Sequence, residues 1–480
     1  ENTMDVQMVS AIREDMERME AHKLQPHFIE EFFIEAFTGV GGKIRPREKG
    51  RIEITAVPFA VRNRDMQFGF GVPVLSRYER VCFDKPYVTM QGQIPAALIA
   101  PGHPLLEATI DLVRERNSNI LKRGVIFIDD NDYGADARLL FYIEDSVQDG
   151  VILPTGNKRV ISKHIHFIEI KEDETAANAG YAPYLDYRAA TEDEQKLIPA
   201  FLKSQKWLQT NVEDIAAGFA ISQLIPAHVT EVRQRKTKLI DKTLKAVKER
   251  LTTEIQYWDF RASDLKQKED AGKINARLNS QAAARRAEEL EARMQKRLAE
   301  LETERLISAM PPTIIGGAII IPKGLLGTLQ GKESAPFAAD AQSRREIELA
   351  AMHAVMDIET SLGFVPRDVS ANKCGYDVES LIPVDLRGNA GSSTAPLRFI
   401  EVKGRAKGAD TVTVTKNEIL SAFNKPDEYI LAIVEVDGGQ TKTVYLKKPF
   451  RIHPDFAATS VNYNIDELTR NAELLLKRGF

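Results

Sequence analysis

Between Val229 and Leu306 the chain repeats one pattern. Ile240, Leu244, Val247, Leu251, Ile255, Trp258, Ala262 and Leu265 step by three and four residues, and Ala287, Leu290, Met294, Leu298 and Leu301 do so again. That period places each set on one stripe of a helix and leaves the other faces charged. Between the stripes lies EDAGKINARLNS (Glu269–Ser280), with Gly272 and Asn279 as breakers. Two long antiparallel helices, a coiled-coil hairpin over 226–308, satisfy both stripes at once. A helix of about 40 residues projects roughly 60 Å. The flanking segments must therefore fold as bodies from which an arm extends.

The flanks read differently. Residues 1–225 mix helical stretches, such as the one holding Phe28, Phe32 and Phe33, with short β-type runs: RIEITAV (Arg51–Val57), RYERVCFD (Arg77–Asp84) and ALIA (Ala97–Ala100). PGHPLLEATIDLVRERNSNIL has proline at a helix start, His103 setting that start, and a stripe at Leu105, Ile110, Val113 and Ile120. GVIFIDD and RLLFYIEDSV predict a hairpin around Asn131–Asp136, and HIHFIEI adds strand. Beyond the arm, Met310–Ala341 reads as a linker holding one buried strand within TIIGGAIIIPKGLLG (Thr313–Gly327). The expected fold is α+β and multidomain: a mixed α/β region at 1–225, the hairpin at 226–308, strand and linker at 309–342, and an α/β domain at 343–480.

Composition narrows the partners. With 480 residues and a net charge of −4, the chain is no general polyanion binder, so any nucleic-acid surface must be local. Cys82 and Cys374 are the only cysteines, too few for a disulfide framework or a thiolate zinc site. That usage fits a reducing, cytoplasmic compartment. No run reaches the ~18–20 apolar residues of a membrane span, so no membrane partner is expected. The start, ENTMDVQMV, lacks a signal-peptide pattern and begins within helical periodicity, as a piece of a longer chain would.

Two stretches carry Glu-x-Lys on a strand-like run: HFIEIKEDE (His166–Glu174) and RFIEVKGRA (Arg398–Ala406). Around the second, Ser343–Phe364 is helical, with Ile347, Ala351, Val355, Ile358 and Leu362 on one stripe and Glu348 and Glu359 just off it. CGYDVESLIPVDL follows, then the turn-rich RGNAGSSTAP, then LRFIEVKGR. A turn centred on Asn389–Ala390 puts Asp377 opposite Glu401 or Lys403, at a Cβ separation of ~5 Å. The period of two sets Glu401 and Lys403 on one face and Ile400 and Val402 on the other. Two carboxylates from separate strands suit Mg²⁺, or Mn²⁺, with Asp377 and Glu401 as ligands. Such an ion activates water, and Lys403 can orient that water or stabilise developing negative charge. Further on, Thr415 and Glu418 form a capping box at a helix start; Glu418 is either that cap or a group aimed at the site. Asn417 faces out of the same turn.

The first stretch shares the spacing, since Asp145 precedes Glu169 by 24 residues as Asp377 precedes Glu401. It lacks the leading helix and the capped helix, and Pro183 stands where the latter should be. Lys171 therefore reads as a solvated charge at a strand end.

The order helix, strand, strand, helix, strand, with GYD before EVK, resembles the PD-(D/E)XK nuclease superfamily. More narrowly, residues 343–450 resemble the NO VEIN C-terminal domain family. The matching positions are Glu348, Asp377, Glu401, Lys403 and Asn417–Glu418, with Tyr376 where the superfamily name has proline. The resemblance implies a restriction-endonuclease-like fold, Mg²⁺-dependent phosphodiester cleavage, assistance from Glu348, and nucleic-acid contact by Asn417.

Residues 1–325 resemble the region that follows the motor lobes in large Swi/Snf-type superfamily-two helicases, of the kind found in DISARM-type phage-defence systems. The likeness rests on LIAPGHPLLEATIDL (Leu98–Leu112), FIDDNDYG and the block after it (Phe127–Gly150), YAPYLDYR (Tyr181–Arg188), RLTTEIQYWDFRASDLKQKE (Arg250–Glu269) and PPTIIGGAIIIP (Pro311–Pro322). It implies a parent protein that hydrolyses ATP to move on DNA. ATP belongs to motor lobes absent from this sequence: GTLQGKES (Gly327–Ser334) is one residue short of a P-loop and has Glu333 where Ser or Thr is required.

Other candidates read as structure. FIDDNDYG has Tyr133 and Leu140 at positions where a calcium loop needs ligands, so it is an acidic turn. His164 and His166 share a strand face with no third ligand in sight. On the arm, Val229–Arg250 holds eight Lys/Arg against three acids, while Arg285–Leu306 holds six of each. Arg233, Arg235, Lys236 and Lys238 are either a phosphate-contacting surface or a solvated coiled-coil face. Two functions follow. One is the C-terminal region of a DNA translocase with a metal-dependent nuclease-type domain. The other is an inactive DNA- or partner-binding module with the coiled coil as a scaffold for partner proteins.

Overall fold

The computed structural model of the chain describes residues 6–21, 25–68, 72–153, 156–271, 276–331, 335–387, 396–454 and 458–479. A small sheet of four strands (Lys43–Pro46, Ile52–Ala56, Tyr78–Cys82, Ala97–Leu98) runs in chain order near the N-terminus. Helices Pro26–Gly39 and Pro104–Arg123 cover it, burying Phe33, Phe37, Ile54, Ile99 and Leu105 in one core. His103 starts the second helix as expected, its Nδ1 accepting the Leu105 N–H at 3.2 Å. The buried face differs from the expected stripe: Leu105, Ala108, Thr109 and Leu112 are inside, whereas Ile110 and Ile120 are exposed. At 3.6 residues per turn, Ile110 lies about 140° around the helix from Leu105, turned away from the side that Ala108, Thr109 and Leu112 share with it.

The second sheet corrects two expectations. Its strands run Ala176–Asn178, Lys158–Ile170, Arg138–Ile152, Thr313–Pro322, Val125–Asp129, Arg188–Ala189, with Ser308–Ala309 added beside Arg138–Ile152. Val125–Asp129 and Arg138–Ile152 therefore form no hairpin. Thr313–Pro322 lies between them, parallel to the first and antiparallel to the second. The segment expected to be partly linker supplies the centre of the sheet. Ala318 to Pro322 are buried in succession, the pattern of a strand covered on both faces. Helix Lys323–Leu329 follows, while Lys332–Ser334 of GTLQGKES lie outside the described residues. Both ends of the arm are thus rooted in one sheet.

The arm consists of an outgoing helix, Ile225–Asp270, and a return helix, Ala276–Glu304. At 46 residues, the first projects roughly 70 Å. Ile240, Ala287, Leu290 and Leu301 are buried, but Leu244, Val247, Leu251, Ile255 and Trp258 are only half-buried, because two helices cover one stripe of each other and no more. Gly272 lies outside the described residues. The continuous helix Val212–Asp270 contains one 18-residue window apolar enough, by length and composition alone, to cross a membrane. Val212, Ala216, Ala220 and Ile225 of this helix pack into the core against Phe141, Ile143 and Ile168.

The C-terminal domain begins with the helix Ala335–Ser361. Its sheet runs Val365–Asp368, Val378–Leu381, Leu397–Ala406, Tyr429–Asp437, Gln440–Lys447, Glu473–Arg478. Leu397–Ala406 and Tyr429–Asp437 are parallel and need a crossover, which includes the helix Lys416–Asn424. Alternation sorts the two faces. Ile400 packs with Ala351 and Val355 of the first helix, and Phe399 packs with Ile419 of the crossover helix. The chain's N-terminal helix, Val6–Ala21, docks on this same domain through an Arg18–Glu379 ion pair at 2.8 Å and through Lys425, which meets Glu17 and Glu20.

Candidate functional site

Val378 pairs with Ile400 and Glu379 with Phe399, so Asp377, one residue earlier, stands across from Glu401. Asn389–Ala390 lie outside the described residues, but the register is the one that opposes Asp377 to Glu401 rather than to Lys403. Asp377 is clamped at both ends: its N–H donates to Ile400 O at 2.9 Å, and its Oδ2 accepts the Val402 N–H at 2.9 Å. Lys403 lies on the Glu401 face, its Nζ 2.9 Å from Glu401 Oε1 and 2.7 Å from Glu418 Oε2.

Glu418 fills both roles left open by its sequence. The Thr415 N–H donates to Glu418 Oε2 at 3.0 Å, completing the capping box, and the same oxygen reaches Lys403. One carboxylate caps the helix and closes the cluster. Gly375 makes this possible. It has φ +86, and a Cβ there would lie 2.2 Å from Ser421 Oγ, so the chain entering Asp377 can press against the crossover helix only without a side chain.

Other expected residues are placed elsewhere. Glu348 is exposed on the first helix and is not brought in with Asp377 and Glu401; it lies within the field of Arg405 instead. Glu359, near it in sequence, is fully buried on the opposite face of the sheet beside Arg398, at 3.3 Å. Asn417 does not face outward. It is 8% exposed, its Nδ2 donates to Tyr181 O at 2.8 Å, and its N–H donates to Asp186 Oδ1 at 3.3 Å. On the arm, Lys236 pairs with Glu304 at 3.0 Å and Arg233 reaches Ile307 O at 3.4 Å. Arg235 and Lys238 are exposed.

Sequence reasoning misses Asp186. The turn Pro183–Asp186 comes from the N-terminal region and lies over the C-terminal domain, so that a cavity of about 230 Å³ is lined jointly by Asp129, Arg138 and Asp186 from one side and by Asp377, Glu401 and Glu418 from the other. Arg138 sits in the wall, paired with Asp129 at 2.5 Å and Glu169 at 3.1 Å. Gly180, at φ +85 and with the Asn372 carbonyl 2.4 Å from where a Cβ would stand, lets the two segments meet. YAPYLDYR carries apolar and turn signals only; nothing in it marks Asp186 as reaching a distant site.

The charges do not balance. The Lys403 ammonium contacts Glu401 and Glu418 and lies within the field of Asp377 and Asp186. Burial pushes Asp377 up to about 6, against the downward pull of Lys403 and the Val402 N–H. Burial, then Asp377 and Glu418, hold Glu401 well above the usual range. Burial and Glu418 push Asp186 up to about 7. Burial opposes the charge on Lys403, yet Glu401, Glu418 and Asp377 keep its pKa above that of an ordinary lysine. A divalent cation would relieve this excess, and carboxylate oxygens are the donors Mg²⁺ takes. The residues present fit such an ion.

The twin stretch separates cleanly. Asp145 pairs with His164 and Leu140 with Glu169 in one uninterrupted register, so Asp145 and Glu169 point to opposite faces of their sheet and cannot share an ion. Lys171 is exposed beyond the strand end.

Residues 347–446 match the family described as Protein NO VEIN, C-terminal. The matched stretch contains Asp377, Glu401, Lys403 and Glu418, whereas Asp186 falls outside it. No curated protein matches the chain.

Proposed function

We propose that residues 343–480 carry a metal-dependent phosphodiesterase site acting on DNA, joined to the C-terminal region of an ATP-dependent DNA translocase of Swi/Snf type. The observation that carries the reading is the meeting of Asp377, Glu401 and Lys403 on one face of two paired strands, with more buried carboxyl groups than one ammonium can balance. Asp377 and Glu401 would hold Mg²⁺ or Mn²⁺, which when bound supplies a Lewis acid for water and phosphate oxygen. The Val402 N–H engages Asp377 Oδ2, so Oδ1 would be the oxygen offered to the ion. Lys403 spends two N–H groups on Glu401 and Glu418, and the third can orient a water or a phosphate oxygen. The translocase part rests on the resemblance of residues 1–325, and ATP would be bound by motor lobes outside this sequence.

A second reading is favoured by the cover over the site. Asn417 is held by Tyr181 and Asp186 stands at the cluster, so the domain can serve as a closed module that binds DNA or a partner protein without cleaving. Calorimetry of the full chain is expected to show Mg²⁺ or Mn²⁺ binding that Asp377→Asn abolishes. Linear, nicked and single-stranded DNA should then be cut by the parent and spared by the variant. Metal binding without cleavage favours the second reading; metal binding unchanged in Asp377→Asn removes the first.

The arm is proposed to meet DNA phosphates through Arg235 and Lys238, the exposed candidates that Glu304 and the Ile307 carbonyl do not engage. Replacing both by alanine is expected to flatten the salt dependence of DNA binding, by about 0.9 in log–log slope for each phosphate no longer neutralised. An unchanged slope would leave the arm as a scaffold for protein partners.

A further inference from the structure

A second constellation lies at the root of the arm, away from the carboxylate cluster. His164 and His166 share one face of the strand Lys158–Ile170, and Asp145 pairs directly with His164 from the neighbouring strand. Asp145 is fully buried. His166 Nε2 is 2.9 Å from Asp145 Oδ1, and His228 Nδ1 is 2.6 Å from Asp145 Oδ2. His228 comes from the start of the outgoing helix, and its Nε2 meets Ser162 Oγ at 2.8 Å. The His164 ring stacks on His228 with centroids 3.7 Å apart. One ligand atom from each of Asp145, His164 and His166 lies within 4.8 Å of the other two, although His164 forms no hydrogen bond among the described residues.

We propose that Asp145, His164 and His166 form a binding site for a borderline transition-metal ion, Zn²⁺ first among them, that fastens the root of the arm to the sheet. Two imidazoles and one carboxylate are a zinc donor set, with a fourth position left to water. Imidazole selects such ions over Mg²⁺, so this site differs in kind from Asp377 and Glu401. The missing third ligand of the His-x-His pair is the cross-strand Asp145. His228 is a positioning residue: it donates to Asp145 Oδ2 and leaves Oδ1 directed at His166, where the ion would take the place of the shared proton. Such an outer partner fixes a ligand's orientation. Because His228 belongs to the outgoing helix, metal occupancy and the seating of the arm are coupled.

The test uses the full chain, stripped with a chelator and carrying Asp377→Asn and Glu401→Gln to silence the C-terminal carboxylates. Titration of Zn²⁺ against a chromophoric chelator is expected to show one ion bound per chain and a rise in Tm. Co²⁺ should give visible d–d bands. Adding His164→Ala and His166→Ala should lower zinc affinity by at least roughly 100-fold and abolish the bands and the Tm rise; His228→Gln should lower affinity by about 10-fold. His164 is exposed, so its single alanine variant is a folded control and should already weaken binding. Absence of zinc binding in the silenced parent, or equal affinity in the His164/His166 variant at unchanged circular dichroism, overturns the proposal.

Discussion

Arg398→Met is expected to destabilise the C-terminal domain by about 3–5 kcal/mol at neutral pH, the usual cost of leaving one member of a buried ion pair alone. Glu359 is fully buried, with Arg398 Nη1 3.3 Å from its Oε2. Burial raises the Glu359 pKa and Arg398 pulls it back. The Ser380 and Tyr445 hydroxyls lie near the carboxylate, but neither they nor its two oxygens make a hydrogen bond among the described residues, so Arg398 is the group that balances its charge. Without the guanidinium, Glu359 must either carry an unpaired charge or take up a proton. The double variant Arg398→Met/Glu359→Leu removes the charge as well and should recover most of the loss, since a well-packed apolar pair often replaces a buried ion pair at little cost. Urea denaturation of both variants, monitored by near-ultraviolet circular dichroism, measures the difference. A double variant as unstable as the single one would show that Arg398 acts through packing over Phe364 and not through Glu359. The consequence reaches the site, because Arg398 pairs with Ser380 in the same register that opposes Asp377 to Glu401.

Local order in the chain is legible wherever neighbours in sequence are neighbours in space. The arm, the His103 helix start, the Thr415–Glu418 cap and the alternation along Leu397–Ala406 all depend on periods of two or 3.6 residues. What escapes such reading depends on distant segments. Thr313–Pro322 enters a sheet begun before the arm, and no turn signal near Asn131 could reveal that a strand would come between Val125–Asp129 and Arg138–Ile152. Asp186 looks like one acid in an aromatic turn, yet it reaches a site whose other carboxylates come from the far end of the chain. Glu348 and Glu359 sit three turns apart on one helix and look equivalent in sequence. Their fates differ because Glu359 meets Arg398 under the sheet and Glu348 meets solvent. Asn417 is expected to face outward because a first-turn side chain usually does; the N-terminal region covers it.

In a chelator, the stability of the chain is expected to fall as pH rises from about 5 to about 8, the reverse of what paired carboxylates give. Asp377 and Asp186 are raised to about 6 and about 7, and Glu401 is held well above its ordinary value. The folded protein therefore binds these protons more tightly than the unfolded chain, whose carboxyls titrate near 4. The stabilisation is fully present below that value and is lost as pH passes through the folded pKa values. At ~1.4 kcal/mol for each unit of difference, the loss amounts to several kcal/mol, and Asp186→Asn should remove part of it. A divalent ion competes for the same oxygens, so saturating Mg²⁺ should raise Tm little at about pH 5 and strongly near pH 8. Both trends are read from thermal unfolding across pH, with chelator and with Mg²⁺. A Tm in chelator that stays level or climbs over this interval would mean that the carboxylates are already neutralised within the fold. The electrostatic case for a bound ion at Asp377 and Glu401 would then be gone.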